Sequence, residues 1–451
     1  MFSSDFKSYF KRTLLIAFPV CISQLGHIAV GVADSIMAGK LGGIPLAAAT
    51  LCFSIQVPFL MFGIGISYGA TPLISKALGE NNQLGISSLL RHSVIMNLLT
   101  GIIITIFLYL SAGVLDHLNQ NNEVVSAAKP FFQILALSML PLMVFQSYKQ
   151  FAEGLAYTNH AMAISISANV LNIFLNYALI FGKWGYPGMG LNGAATATLI
   201  SRVYMAILMF AFVHFSRHFK LYIEMAKDVK TKADTFLILF RKSLPVGLQL
   251  LFETGAFGFA AIMVGWHGSS ELAAHQIALN LAAVTYMAAT GISSAGAVIV
   301  GFEYGSKNYI GIKKAGLTAL LFVVILMSVS AVFFIVFRHD LPKFYIDDEE
   351  IYKISASLLL IAAFFQLSDG LQVVALGILR GMGNVKLPTT IALFSYWGIA
   401  LPLGYFLSFK MGYGVEGIWY GLLLGLSLSA GLLLILFFKK SSMKNFNTAV
   451  F

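Results

Sequence analysis

Charge is what this sequence has least of. Asp, Glu, Lys and Arg make up only 11% of the 451 residues, while 58% are hydrophobic and the mean hydropathy is +0.83. Soluble domains carry about 25% charged residues, so that class is excluded. Cysteine is scarcer still. Cys21 and Cys52 both fall inside apolar runs, which excludes a disulfide framework or a structural zinc site and leaves them as packing residues. Polar stretches long enough for a catalytic domain are missing, and so are His-Glu-x-x-His, Gly-x-Ser-x-Gly and Gly-x-x-x-x-Gly-Lys. Without a nucleotide site, any uphill work needs an ion gradient or a partner.

What is present is a series of apolar runs. A hydrocarbon core about 30 Å thick needs roughly 20 apolar helical residues. Such runs occur at 14–39, 46–75, 88–112, 130–150, 161–181, 191–215, 243–266, 272–301, 316–337, 354–377, 387–409 and 415–438. They predict an all-α integral membrane protein of twelve spans, the first a permanent span rather than a cleaved signal. The charged segment 216–242 reads as a cytoplasmic linker between a bundle at 1–215 and a second bundle, with its tail, at 243–451. The net charge of +10 gathers mainly in the N-terminus, linker, tail and alternate loops. The positive-inside rule therefore puts both termini in the cytoplasm, and no nucleic-acid partner is implied.

The chain repeats itself. "PVCISQLGHIAVGVADSIMAG" from Pro19 aligns with "PVGLQLLFETGAFGFAAIMVG" from Pro245, and the register carries Asn82 onto Asn308 without a gap. Small shifts then pair Gly154 with Gly381, Ile164 with Ile391, and "GMGLNG" with "GYGVEG". Six spans per half make the repeats parallel, related by a pseudo-twofold axis along the membrane normal. Two such bundles around a cleft suit a transporter working by alternating access.

An ionised side chain at bilayer depth costs about 2.5 to 3.5 kcal/mol and needs a purpose. Asp34, Glu253 and Asp369 are such groups, and the repeat gives each a different mate: Ala260, His27 and Met143. Counting about 1.5 Å per residue from the helix ends puts Glu253, Tyr286 and Asp369 near mid-membrane. Gln366 and Gln372 lie one turn either side of Asp369. Carboxylates, a phenol and amide oxygens make a hard-cation or proton site. In the first half Asp34, Asn176, Thr196 and Thr198 share a depth. Asn172 extends that stripe by one turn, and His27 carries it toward the cytoplasm. Interhelical hydrogen bonding is the alternative role for Asn172, Asn176, Thr196 and Thr198, as packing is for Tyr286. Arg202 either neutralises a carboxylate or snorkels.

The ordered set "ADSIMAGKLG", "AAHQIALN", "GMGLNG" and "RGMGNVKLP" resembles the multidrug and toxic compound extrusion (MATE) family, and with Glu253, Tyr286 and Asp369 its NorM-type branch. The resemblance covers nearly the whole chain. It implies a secondary transporter in a bacterial inner membrane that exports cationic amphipathic drugs in exchange for Na+ or H+. No cofactor is implied, its surroundings are membrane lipid, and a monomer is the functional unit. It further implies a cation site at Glu253, Asp369 and Tyr286. Asp34, Asn172, Asn176 and Thr196 or Thr198 would couple ions in the first half. Asn176 stands where the family often has Asp, which leaves Asp34 as the titrating group of its cluster. The alternatives are a flippase for lipid-linked precursors, whose anionic cargo favours a basic cleft, and a membrane-embedded enzyme or signalling protein.

Overall fold

The computed structural model describes residues 4–117, 120–185, 187–346 and 348–442. Among them every regular element is helical, and twelve helices are long and apolar enough to cross a membrane. They are α1 Phe6–Lys40, α2 Gly43–Gly79, α3 Gln83–His117, α4 Asn122–Gly154, α5 Thr158–Phe181, α6 Leu191–Phe215, α7 Ala233–Gly265, α8 Ser269–Gly305, α9 Tyr309–Phe337, α10 Glu349–Gly381, α11 Lys386–Lys410 and α12 Gly414–Lys440. A short helix, Lys220–Asp228, lies in the linker.

Most helices outrun their apolar cores because polar residues cap and extend them. The side chain of Asp348 accepts from the backbone N–H groups of Glu350 and Ile351 at 2.9 and 3.1 Å. Glu349 and Glu350 then add negative charge to the first turn of α10, where the helix dipole favours it. Between α2 and α3 the chain reverses through Asn81 at φ 53°, and Asn82 accepts from Gly85 N at 2.7 Å. Between α8 and α9 it does the same through Lys307 at φ 56° and Asn308, which accepts from Gly311 N at 3.1 Å. The sequence repeat is thus a repeat of conformation.

Contacts gather the chain into two compact units, Met1–Cys21 with Phe252–Phe451, and Ile22–Leu251. The divisions fall inside α1 and α7 and not in segment 216–242. Packing explains this. Ile16 and Ala17 of α1 are buried in a core with Ala289, Ile292, Leu379 and Phe437, and Leu239 of α7 in a core with Phe145, Phe151 and Met209. Glycine makes the close crossings possible. In one unit a Cβ on Gly65 of α2 would stand 2.6 Å from the Cα of Gly247 in α7. In the other, a Cβ on Gly291 of α8 would stand 2.7 Å from the backbone nitrogen of Cys21 in α1. Small residues that let backbones meet are the main route to tight packing where lipid removes the hydrophobic drive.

Helix α11 is irregular. It is π-helical over Phe394–Ala400 and again over Phe406–Lys410. Pro402 lacks an N–H, and its ring crowds the carbonyl one turn earlier, so the turn before it widens.

Candidate functional site

In the unit holding most of the second half, α7, α8, α10 and α11 bring a polar cluster into an apolar bundle. Glu253 and Asp369 are 5% and 4% exposed. Tyr286 donates its hydroxyl to Glu253 Oε1 at 3.2 Å. Tyr396 donates to the same oxygen at 3.4 Å and accepts from Gln372 Nε2 at 3.0 Å. The carboxylates of Glu253 and Asp369 are near enough to repel each other, and Tyr396 lies in the field of both. Donation by its amide nitrogen fixes the Gln372 side chain, leaving Oε1 buried with no hydrogen-bond partner, as is Asp369 Oδ1. Gln366 is 1% exposed with neither amide atom hydrogen-bonded. Buried oxygens of this kind cost about 1 to 3 kcal/mol each when unsatisfied, and together they suit a cation, a proton or an organic ammonium group. No group of three or more His, Cys, Asp or Glu among the described residues is arranged to hold a metal. A monovalent ion would therefore rely on neutral oxygens beside the two carboxylates.

Tyr396 is absent from the sequence reading. It carries no charge, and only charged residues are set against their repeat mates, so its mismatch with Asn169 goes unread. Its depth in α11 was the available signal, since it lies about as far into its span as Asp369 does.

In the other unit the polar side chains form a line. Asn176 donates through Nδ2 to Asp34 Oδ1 and also to Asn172 Oδ1, the latter at 3.1 Å. Asn172 reaches Thr198 Oγ1 at 3.5 Å. Thr196 is outside the line, because its hydroxyl donates to the Asn192 carbonyl of its own helix at 2.9 Å. His27 makes no hydrogen bond among the described residues, and faces the charges of Lys149 and Arg202 rather than joining Asp34. Arg202 is half-buried and does not snorkel free. Its guanidinium donates to Ser138 Oγ at 2.7 Å, at the break in α4, within the field of Asp34. Lys149 and Glu153 form a buried pair at 3.6 Å in α4, with side chains 1% and 3% exposed.

The sequence profile of the family described as MatE matches residues 19–178 and again residues 245–406. The chain belongs to the MATE family. Its two matched stretches begin at the prolines that open the internal repeat, Pro19 and Pro245, so each half carries one copy of the MATE unit. Members are secondary transporters and not enzymes, and the chain is a multi-pass membrane protein of the NorM-type branch. A "probable multidrug resistance protein NorM" of Rhizobium meliloti is 30% identical over 97% of this chain and 94% of its own length. The eukaryotic MATE transporter AtDTX14 superposes with a TM-score of 0.87 at 18% identity, over 98% of this chain and 99% of its own. A MOP superfamily transporter from Pyrococcus furiosus, described as having a binding pocket of reversed polarity, superposes at 0.89 with 20% identity over 96% of both chains. These likenesses show the fold that the chain shares with them.

Proposed function

We propose that this MATE transporter exports cationic amphipathic organic compounds from the bacterial cytoplasm in exchange for Na+ or H+, by alternating access. The observation that carries this reading is the buried Glu253–Asp369 pair among two phenols and two glutamines, with oxygens of Asp369, Gln366 and Gln372 left to accept. Two buried carboxylates on helices of membrane-spanning length favour positively charged cargo. The relatives named for multidrug resistance support a broad cargo range, and aromatic rings beside the cluster suit flat cations. Phe257 packs edge-on against Tyr396 and Phe365, with ring centres 5.8 and 6.1 Å apart. Asp34, held by Asn176, is the coupling group of the first half, with Asn172 and Thr198 behind it.

The inner membrane, a monomeric unit and cytoplasmic termini belong to the same reading, the last supported by the basic linker and tail. One elementary charge crossing 100 mV supplies about 2.3 kcal/mol for the exchange. A flippase for anionic lipid-linked precursors would want a basic site, and the cluster at Glu253 is acidic.

The deciding experiment is release of a fluorescent organic cation from proteoliposomes under separately imposed Na+ and H+ gradients. Glu253→Gln, Asp369→Asn and Asp34→Asn are compared with the parent. Release that ignores both gradients, or variants that all match the parent, would sink the proposal.

A further inference from the structure

Two successive residues of α11 reach the same turn of α7. Tyr396 donates to the Glu253 carboxylate, and Trp397 donates its indole N–H to the backbone carbonyl of Phe252 at 3.0 Å. The indole runs along α7. Its ring meets Phe252 edge-on at 6.4 Å and Phe259 at 6.1 Å, and passes Gly255, where a Cβ would stand 3.4 Å from it. On the other side Tyr396 packs against Phe257 and is held by Gln372 of α10. In an α-helix neighbouring side chains point about 100° apart, so two in a row rarely grip one partner. The π-helical stretch Phe394–Ala400 narrows that angle and aims both at α7.

The place gripped is also distinctive. Phe252 and Glu253 are the first two residues of α7 to belong to this unit, the division falling between Leu251 and Phe252. The first half has the same crossing without the grip. There α1 meets α5 at Gly26, where a Cβ would collide with Asn169 Nδ2, and Gly26 and Asn169 are the repeat mates of Phe252 and Tyr396. α5 is α-helical throughout, and Asn169 Nδ2 is buried with no hydrogen-bond partner. The helix crossing is shared scaffold. Among the described residues the two-point grip occurs only in the half that carries Glu253.

We infer that Tyr396 and Trp397 form a clamp that couples the ionic state of Glu253 to the seating of α7 against α11. Tyr396 is a positioning residue for the carboxylate, and Trp397 one for the backbone beside it. With Glu253 charged, both points hold. When a cation or proton takes up the charge of the carboxylate, the phenol's bond weakens from a charge-assisted to a neutral one while the indole bond to the backbone is unchanged, so α7 is freer to turn about Phe252. This rests on the reading of Glu253 as part of the cation site.

The test uses the full chain in proteoliposomes, with ethidium as the probe and exchange rates measured across a series of coupling-ion concentrations. Tyr396→Phe removes only the hydroxyl. It should lower the half-saturating ion concentration by up to about tenfold, the worth of one hydrogen bond to a charged group that ion binding no longer has to give up, with the maximal rate within about twofold of the parent. Trp397→Phe keeps a ring and loses the N–H. It should lower the maximal rate by about threefold and leave half-saturation unchanged, and Trp397→His, which restores a ring N–H, should recover part of the rate. Parental values in both Phe variants overturn the clamp. So does a loss in both that merely follows the fraction of folded protein recovered by size-exclusion chromatography. Should Tyr396→Phe not fold, the Trp397 variants carry the test alone. Glu253→Gln in the same assay separates the two readings. If it keeps the parental ion dependence, the cation site itself is misplaced. If it loses that dependence while Tyr396→Phe is parental, only the clamp fails.

Discussion

Gly26 and Asn169 in one half, and Phe252 and Tyr396 in the other, mark one helix crossing built twice with different chemistry. The same holds along the chain. Asn81 and Lys307 turn it with matching positive φ, and Gly65 and Gly291 allow matching backbone approaches. Yet Asp34 meets an amide in one half, whereas in the other Glu253 takes two phenols and lies within the field of Asp369. Backbone geometry is the part the halves hold in common. Ionisable side chains are where they differ, so the scaffold tolerates one carboxylate pattern per half without needing either.

That contrast can be broken by giving one half the other's charge. Ala260, the fully buried mate of Asp34, lies in an apolar core with Val264, Ala274 and Phe365. Ala260→Asp should destabilise the protein by about 4 kcal/mol, read as loss of folded material on heating in detergent, because the new carboxylate has no Asn176 to meet it. A stable, active variant would show that the halves are interchangeable after all. Neutralising the native carboxylates sharpens the contrast. Glu253→Gln and Asp369→Asn should each cut gradient-driven exchange about a hundredfold, or about 2.7 kcal/mol, with Asp34→Asn costing less and altering the dependence on one ion only.

The shared scaffold predicts smaller and equal effects. Gly65→Ala and Gly291→Ala should each cost about 2 kcal/mol, since both push a Cβ into backbone on a facing helix. A large inequality between them in thermal unfolding would mean that the crossings are not equivalent. The smallest effect is at the caps. Asn82→Ala should cost about 1 kcal/mol. Asn308→Ala should cost somewhat more, because Asn308 also donates to Glu303 Oε2 at 2.7 Å and Glu303 pairs with Arg12 at 3.5 Å.

The twelve spans and the repeat were legible because hydrophobic length and internal self-similarity need no tertiary information. Depth counting also put Glu253 and Tyr286 at one level, where they hydrogen-bond, and Asp34 level with Asn176. Rotation about each helix axis was not legible. Thr196 and Thr198 share a depth, yet only Thr198 reaches Asn172, because two residues on a helix are too far round to face the same neighbour. Tyr396 escaped for a different reason. Its orientation depends on a π-helical stretch that tertiary packing and Pro402 impose, and no periodicity in "FSYWGIA" announces it. The division of α1 and α7 was hidden as well, since an unbroken apolar helix gives no sign of which core each half enters.

That division has a bearing on how the gene could be taken apart. A cut in the linker helix Lys220–Asp228 would yield two fragments of nearly equal length, each missing a piece of its own interior. The first would lack Leu239 and Gly247, and the second Ile16, Ala17 and Cys21. Separately made, such fragments would have to trade helix ends before either was complete, so a functional split of this transporter is expected only on co-expression.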